Sequence, residues 1–174
     1  MAFTHLHVHT EYSLLDGSNK IKEYVRRVKE LGMDSAAITD HGVMYGVIDF
    51  YKACRAEGIR PILGCEVYVA PNSRFDKELT GGDDRYYHLV LLAENNTGYN
   101  NLTRIVSRGF TEGYYYKPRV DMELLKEFHE GIIALSACLA GEVQRYITKG
   151  LYDEAKKTAL KYQACFGKGN YFLE

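Results

Sequence analysis

Histidines at positions 5, 7 and 9 alternate with Thr4, Leu6 and Val8 at the start of the chain. On a strand, side chains two apart share a face and sit about 7 Å from one another. That spacing lets two imidazoles serve one metal or two adjacent ones, and imidazole nitrogen is the commonest protein ligand for zinc and its neighbours. A strand over Thr4–His9 therefore gathers His5, His7 and His9 on one face and leaves Thr4, Leu6 and Val8 to pack under helices. A second histidine follows an acid in Ile38-Thr39-Asp40-His41-Gly42, where His41 can ligate while Asp40 orients it or a neighbour from behind. Glu66, in Gly64-Cys65-Glu66-Val67, is a lone carboxylate within an apolar run. A buried, unpaired carboxylate is too costly to persist, so Glu66 must face solvent, a cation or a metal. A carboxylate can also bridge two metals, which suits a multinuclear site.

Other positions have two readings each. Asp16, in Leu14-Leu15-Asp16-Gly17, reads first as a turn residue. His88 stands at the start of the apolar run Leu89–Ala93 and is as readily structural as ligating. Cys138, in Ser136-Ala137-Cys138-Leu139, follows a strand and is an ordinary small buried residue or a thiolate donor. Lys117 and Arg119, in Tyr114-Tyr115-Tyr116-Lys117-Pro118-Arg119, either form a solvated turn or hold a phosphate beside a stacked base.

The elements that must position these groups alternate between strand and helix. Helices are expected from Ile21, capped by Ser18 or Asn19 and ending at Gly32, then from Val47 to Gly58, and over 99–108, 122–129, 141–148 and 152–166. Strands fall at 36–39, 61–69, 89–93 and 131–135, and another begins at Tyr171. A polar loop containing Gly81-Gly82-Asp83-Asp84 spans 72–85. Strand then helix, repeated with apolar strands, predicts an α/β fold with a parallel sheet covered by helices. No Gly-x-Gly-x-x-Gly follows the first strand, which argues against a dinucleotide fold. Closed barrels usually take about 250 residues, whereas this chain has 174 and stops within a strand. The expectation is a single domain over 1–174, an incomplete barrel of about five to six β/α units.

Composition narrows the function classes. With 22 basic and 23 acidic residues and a net charge of −1, the chain is no generic polycation, though a local basic groove remains open. Apolar runs are short and the start lacks a signal-peptide pattern, so a cytoplasmic protein without membrane contact is expected, its four cysteines reduced.

In order along the chain, His-x-His with Asp16, Thr39-Asp40-His41, Gly64-x-Glu66, His88 and Ser136-x-Cys138-Leu139 resemble the PHP (polymerase and histidinol phosphatase) superfamily. The likeness is closer still to the PHP domains that open bacterial replicative DNA polymerases. It is carried by His5 to Gly17, Pro71-Asn72-Ser73-Arg74-Phe75, Leu92-Ala93-Glu94-Asn95 through Gly98-Tyr99, Tyr116-Lys117-Pro118-Arg119 and Asn170-Tyr171-Phe172-Leu173-Glu174.

The resemblance implies a distorted (β/α)7 barrel, here lacking its C-terminal part, with up to three divalent metals at one mouth. The positions matching the family's ligand motifs are His7, His9, Asp16, His41, Glu66, His88 and Cys138, while His5 flanks the first motif. The final Asp-x-His motif has no counterpart in this chain. Intact family sites hydrolyse phosphoesters, including 3′→5′ exonuclease proofreading, whereas eroded ones serve as supports or docking surfaces for a separate proofreading subunit. The implied partners are DNA and other replicative holoenzyme subunits; nucleotide-adding domains would lie outside this segment. The donor types favour zinc, manganese or iron over magnesium or calcium, with zinc or manganese foremost. Two alternatives stand beside the nuclease: a free-standing phosphatase for a histidinol-phosphate-like ester, and a non-catalytic scaffold stabilised by its metals.

Overall fold

The computed structural model describes residues 3–78 and 85–174. Its centre is a long strand, β2 (Arg60–Val69), preceded in the chain by β1 (Ser35–Ile38). Along one edge of β2, β1 pairs in parallel with Arg60–Leu63, and β5 (Lys117–Val120) then pairs in parallel with Tyr68 and Val69. The other edge takes β3 (Tyr87–Ala93), antiparallel over Gly64–Val69. β6 (Ile132–Leu135) runs antiparallel to β3, and β7 (Tyr171–Phe172) runs parallel to β6. A two-residue β4 (Tyr114–Tyr115) folds back on β5 as a hairpin. The α/β class is as expected, but the sheet is mixed where a parallel one was expected.

Side-chain alternation sorts the two faces of this sheet. Cys65, Val67, Val69, Leu89, Leu91 and Ala134 point outward into a core shared with α3 (Asn96–Thr111), α4 (Met122–Glu127) and α6 (Tyr152–Phe166). Val90, Leu92 and Leu135 form a smaller inner cluster with Ile62 and Ile133. The same period places Glu66, Tyr68 and His88 on that inner face. A third core joins β1 to α1 (Ile21–Glu30) and α2 (Val47–Glu57) through Ile21, Val25, Val28, Phe50 and Cys54, whose three- and four-residue spacings mark buried helical stripes. The short α5 (Glu142–Thr148) packs beside α6.

Several local expectations shift. Residues 4–9 are extended but form no ladder: Val8 N–H donates to the Thr39 hydroxyl at 2.7 Å, so a side chain takes the place of a strand partner's carbonyl. Leu6 on this stretch is exposed rather than packed beneath a helix. The α1 N-cap is Lys20 with no side-chain bond, and Asn19 instead donates to the His9 carbonyl at 2.9 Å. α3 starts earlier than its periodicity suggested because Asn95 caps it, accepting the Gly98 N–H at 3.0 Å. A Cβ on Gly98 would lie 1.8 Å from the Gly131 carbonyl oxygen, so only glycine lets α3 approach β6 this closely. Of the expected 72–85 loop, Gly81-Gly82-Asp83-Asp84 lies outside the described residues. No helix among the described residues is long and apolar enough to cross a membrane.

Candidate metal centre

Glu66 is wholly buried at the point where the edge of β2 passes from β1 to β5. His41 fills that gap. It follows β1, and Gly42 N–H donates to the Glu66 carbonyl while Glu66 N–H donates to the Asp40 carbonyl. Four imidazoles converge on the Glu66 carboxylate. His7 Nε2 stands 3.1 Å from Oε1, His88 Nδ1 3.0 Å from Oε1 and His9 Nε2 3.7 Å from Oε2, with His41 Nδ1 also against Oε2. Cys138 Sγ lies 3.8 Å from Glu66 Oε1 and 3.6 Å from His88 Nδ1. These donors come from the N-terminal segment, the β1 end, β2, the β3 start and the segment after β6.

The antiparallel course of β3 explains His88. Its start lies at the same end of the sheet as the C-terminal ends of β1 and β6, and Tyr68 pairs directly with His88. Ala137 reaches Cys138 in the left-handed region (φ 65), a conformation a non-glycine residue keeps only when its surroundings enforce it.

The outward nitrogens of three rings are also held. His7 Nδ1 lies 2.9 Å from Glu174 Oε1, His41 Nε2 2.9 Å from Asp16 Oδ2 and His9 Nδ1 3.1 Å from Ser13 Oγ. Asp16 is thus at the rim, largely exposed, and touches His41 rather than Glu66. Asp40 is buried and accepts from Thr10 N–H, the Thr10 hydroxyl and the Ser13 hydroxyl, so it braces the loop behind His9. Thr10, Ser13 and Glu174 were not singled out from the sequence. All three lie in stretches that carry the family resemblance, but no residue type or spacing marked them individually.

Two expected residues stand elsewhere. His5 is exposed and packs edge-on against Phe3, with ring centroids 4.7 Å apart; the irregular N-terminal segment turns it from the cluster. Arg119 is only 4% exposed, and its Nε and Nη2 donate to the carbonyls of Gly113, Arg74 and Asp76 beneath the Tyr115 ring, so the guanidinium braces these loops rather than standing open to a phosphate. Lys117 is exposed, its Nζ 5.4 Å from the Tyr68 ring centroid, and Tyr68 in turn packs on His41 and His88.

The electrostatics follow from one acid among many bases. Burial opposes ionisation of Glu66, but the His41, His7 and His88 rings outweigh it and hold the carboxyl far below its usual range. Burial likewise opposes a charged His7, yet the Glu174 and Glu66 carboxylates raise it to about 10. At His88 burial is outweighed by Cys138 and Glu66, giving about 9. Burial and then the His41 charge push His9 down. The His88 ring pulls the Cys138 thiol below its ordinary value.

Three buried atoms in the cluster, His7 Nε2, His41 Nδ1 and Glu66 Oε2, make no hydrogen bond of acceptable geometry with any of the described residues. Buried polar atoms without a partner are rare and call for an ion or water. Two donor triads, His7–His9–Glu66 and His41–Glu66–His88, each bring their donor atoms within 4.8 Å of one another and share the same carboxylate. The residues fit divalent cations.

Residues 5–174 match the PHP domain family, and the chain belongs to it. Among curated proteins, the DNA polymerase III subunit alpha of Treponema pallidum is 53% identical over the whole chain. That of Helicobacter pylori (strain ATCC 700392 / 26695) is 50% identical over 99% of it. The chain spans only 15% of the length of either relative. The solved structure of an amidohydrolase from Chromobacterium violaceum is 15% identical, with a TM-score of 0.62 over 98% of this chain and 76% of that one. It shares the barrel-type α/β fold.

Proposed function

We propose that this chain is the N-terminal PHP domain of a bacterial replicative DNA polymerase, DNA polymerase III subunit alpha, and that its cluster hydrolyses phosphoesters as a 3′→5′ exonuclease. The observation that carries the chemistry is the buried Glu66 carboxylate, ringed by four imidazoles with three donor atoms unsatisfied. The placement in a polymerase rests on the two alpha-subunit relatives, which match along nearly the entire chain.

His7, His9 and Glu66 would hold one cation and His41, Glu66 and His88 another, with Cys138 and Asp16 beside them. Zinc or manganese suits nitrogen, carboxylate and thiolate together. Such cations, when bound, polarise phosphoryl oxygens and acidify water. The chain's own residues set the donors. Burial of Glu66 keeps bulk water from its carboxylate, and Glu174, Ser13 and Asp16 hold the outer nitrogens of His7, His9 and His41. Lys117, on the lip formed with Tyr68, is the phosphate-gripping candidate and offers the scissile strand a cation beside an aromatic face.

The test is release of nucleotides from 3′-labelled single-stranded and primed DNA by the chain loaded with zinc or manganese. Wild-type cleavage that Glu66→Gln and His7→Ala abolish supports the nuclease; equal rates in all three would sink it. Turnover of a histidinol-phosphate-like ester with DNA left intact would point to a free-standing phosphatase. A scaffold is favoured by one feature, the convergence of five separated segments on Glu66, which lets a metal act as a cross-link. It requires that chelation lower the melting temperature while no metal restores cleavage.

A further inference from the structure

Ser13 lies in the 3-10 turn Glu11–Ser13 after the histidine run, and its hydroxyl meets three groups at once. Oγ is 2.7 Å from Asp40 Oδ1, 3.1 Å from His9 Nδ1 and 3.2 Å from the His41 amide nitrogen. A hydroxyl has one proton and two lone pairs. The His41 amide can only donate, so it occupies one lone pair. Asp40 is an acceptor throughout: Oδ1 also takes the Thr10 N–H at 2.6 Å, and Oδ2 takes the Thr10 hydroxyl at 2.7 Å. Ser13 therefore directs its proton to Asp40. Turning that proton toward His9 would set two acceptor oxygens against each other in a buried site. The remaining lone pair faces His9 Nδ1, and only a protonated Nδ1 meets it favourably.

We infer that Ser13, fixed by Asp40, holds His9 as the Nδ1–H tautomer and so keeps its Nε2 as a bare donor atom aimed at Glu66. Ser13 is a positioning residue acting through His9. The same hydroxyl joins the turn behind His9 to the loop carrying His41, so one side chain couples both donor triads. With Nδ1 protonated, the Nε2 lone pair and Glu66 Oε2 face one another at 3.7 Å. That pairing is unfavourable alone and favourable around a cation. This consequence rests on the metal-centre reading above; the tautomer itself does not.

The experiment is a long-range proton–nitrogen correlation spectrum of the imidazole rings in the metal-free, nitrogen-15-labelled chain, at a pH where His9 is neutral. His9 is expected to show a protonated, pyrrole-type Nδ1 and a pyridine-type Nε2. Ser13→Ala should draw the two nitrogen shifts together as both tautomers become populated, and Ser13→Thr should restore the wild-type pattern. In parallel zinc competition titrations, Ser13→Ala should bind about 10–100-fold more weakly, the usual cost of losing a group behind a ligand, and Ser13→Thr should recover most of it. A wild-type His9 protonated at Nε2 overturns the inference, as does a folded Ser13→Ala that keeps a single Nδ1–H tautomer. If Ser13→Ala does not fold, the wild-type spectrum still decides. The expected tautomer with no zinc bound by the wild-type chain would overturn the metal centre and leave the tautomer assignment standing.

Discussion

Glu66 Oε1 and His88 Nδ1 stand 3.0 Å apart on strands that run in opposite directions. The register pairs Tyr68 with His88 and Glu66 with Val90, so acid and base are diagonal neighbours on the inner face. The diagonal brings the first residues of β3 to the mouth formed by the ends of β1 and β6. Every other donor then needs only to reach one carboxylate.

Replacing that carboxylate by its amide leaves the packing in place and removes its charge. Glu66→Gln also turns one acceptor into an NH2 donor beside nitrogen lone pairs. Metal uptake by Glu66→Gln, measured per chain by mass spectrometry after incubation with zinc or manganese, should fall to background with the circular dichroism spectrum unchanged. Uptake equal to wild type would contradict the role given to Glu66.

The metal-free chain should lose stability as the solution becomes alkaline. His7 rises from 6.5 to about 10 and His88 from 6.5 to about 9 on folding, because carboxylates and a thiol outweigh burial. The folded state therefore holds these protons more tightly than the unfolded one. Their contribution is complete below 6.5 and disappears as pH climbs through about 9 to 10. Urea midpoints across that window should decline in the metal-free chain and vary less once metal replaces the protons. A flat metal-free profile would refute this account.

Arg74 should be a keystone away from the cluster. It is 2% exposed, and its guanidinium reaches Asp121 at 2.9 Å and Glu112 at 2.6 Å, while Asp121 also caps α4. Arg74→Met strands Asp121 as a buried charge and should cost about 3–5 kcal/mol in urea denaturation. A loss near zero would mean that Asp121 finds another partner.

Lys117→Ala should weaken single-stranded DNA binding to the metal-loaded chain and reduce the slope of log affinity against log salt by about 0.7, one phosphate contact on a single strand. Arg119→Lys should leave that slope unchanged, because Arg119 already donates to three carbonyls. Fluorescence anisotropy over a salt series reads both. An unchanged slope for Lys117→Ala would remove it from the phosphate path.

The sequence made the core of this arrangement legible because residue type and spacing sufficed. His7 and His9 sit two apart, His41 ends an apolar run, and Glu66 interrupts one, so each announced itself. Helix α6 was also readable, its 152–166 span matching the apolar period. His88 stayed ambiguous because its place depends on strand direction, which an apolar run does not encode; a parallel β3 would have carried it to the far end. Arg119 misled because a Tyr-Lys-Pro-Arg string does not reveal that alternate residues of β5 turn inward. His5 shared the period of its neighbours, but the Thr39 side chain replaces a ladder bond and breaks the strand. Glu174 matters through a contact across 167 residues, and the local bond of Ser13 to His9 gains its direction from Asp40, 27 residues on, distances that no local pattern carries.

The shared edge of β2 also bears on the order in which the molecule folds. β1 meets β2 across about 25 residues that include α2, Ser35 standing opposite Arg60. β5 must close about fifty residues to bring Arg119 against Tyr68, and such long closures come late because entropy is lost before contacts form. The Glu66 position on that edge does not depend on β5, because Gly42 N–H donates to the Glu66 carbonyl and Glu66 N–H to the Asp40 carbonyl. The buried acid is thus framed by the chain that leaves β1, across about 25 residues, and β5 extends the same edge only to Tyr68 and Val69.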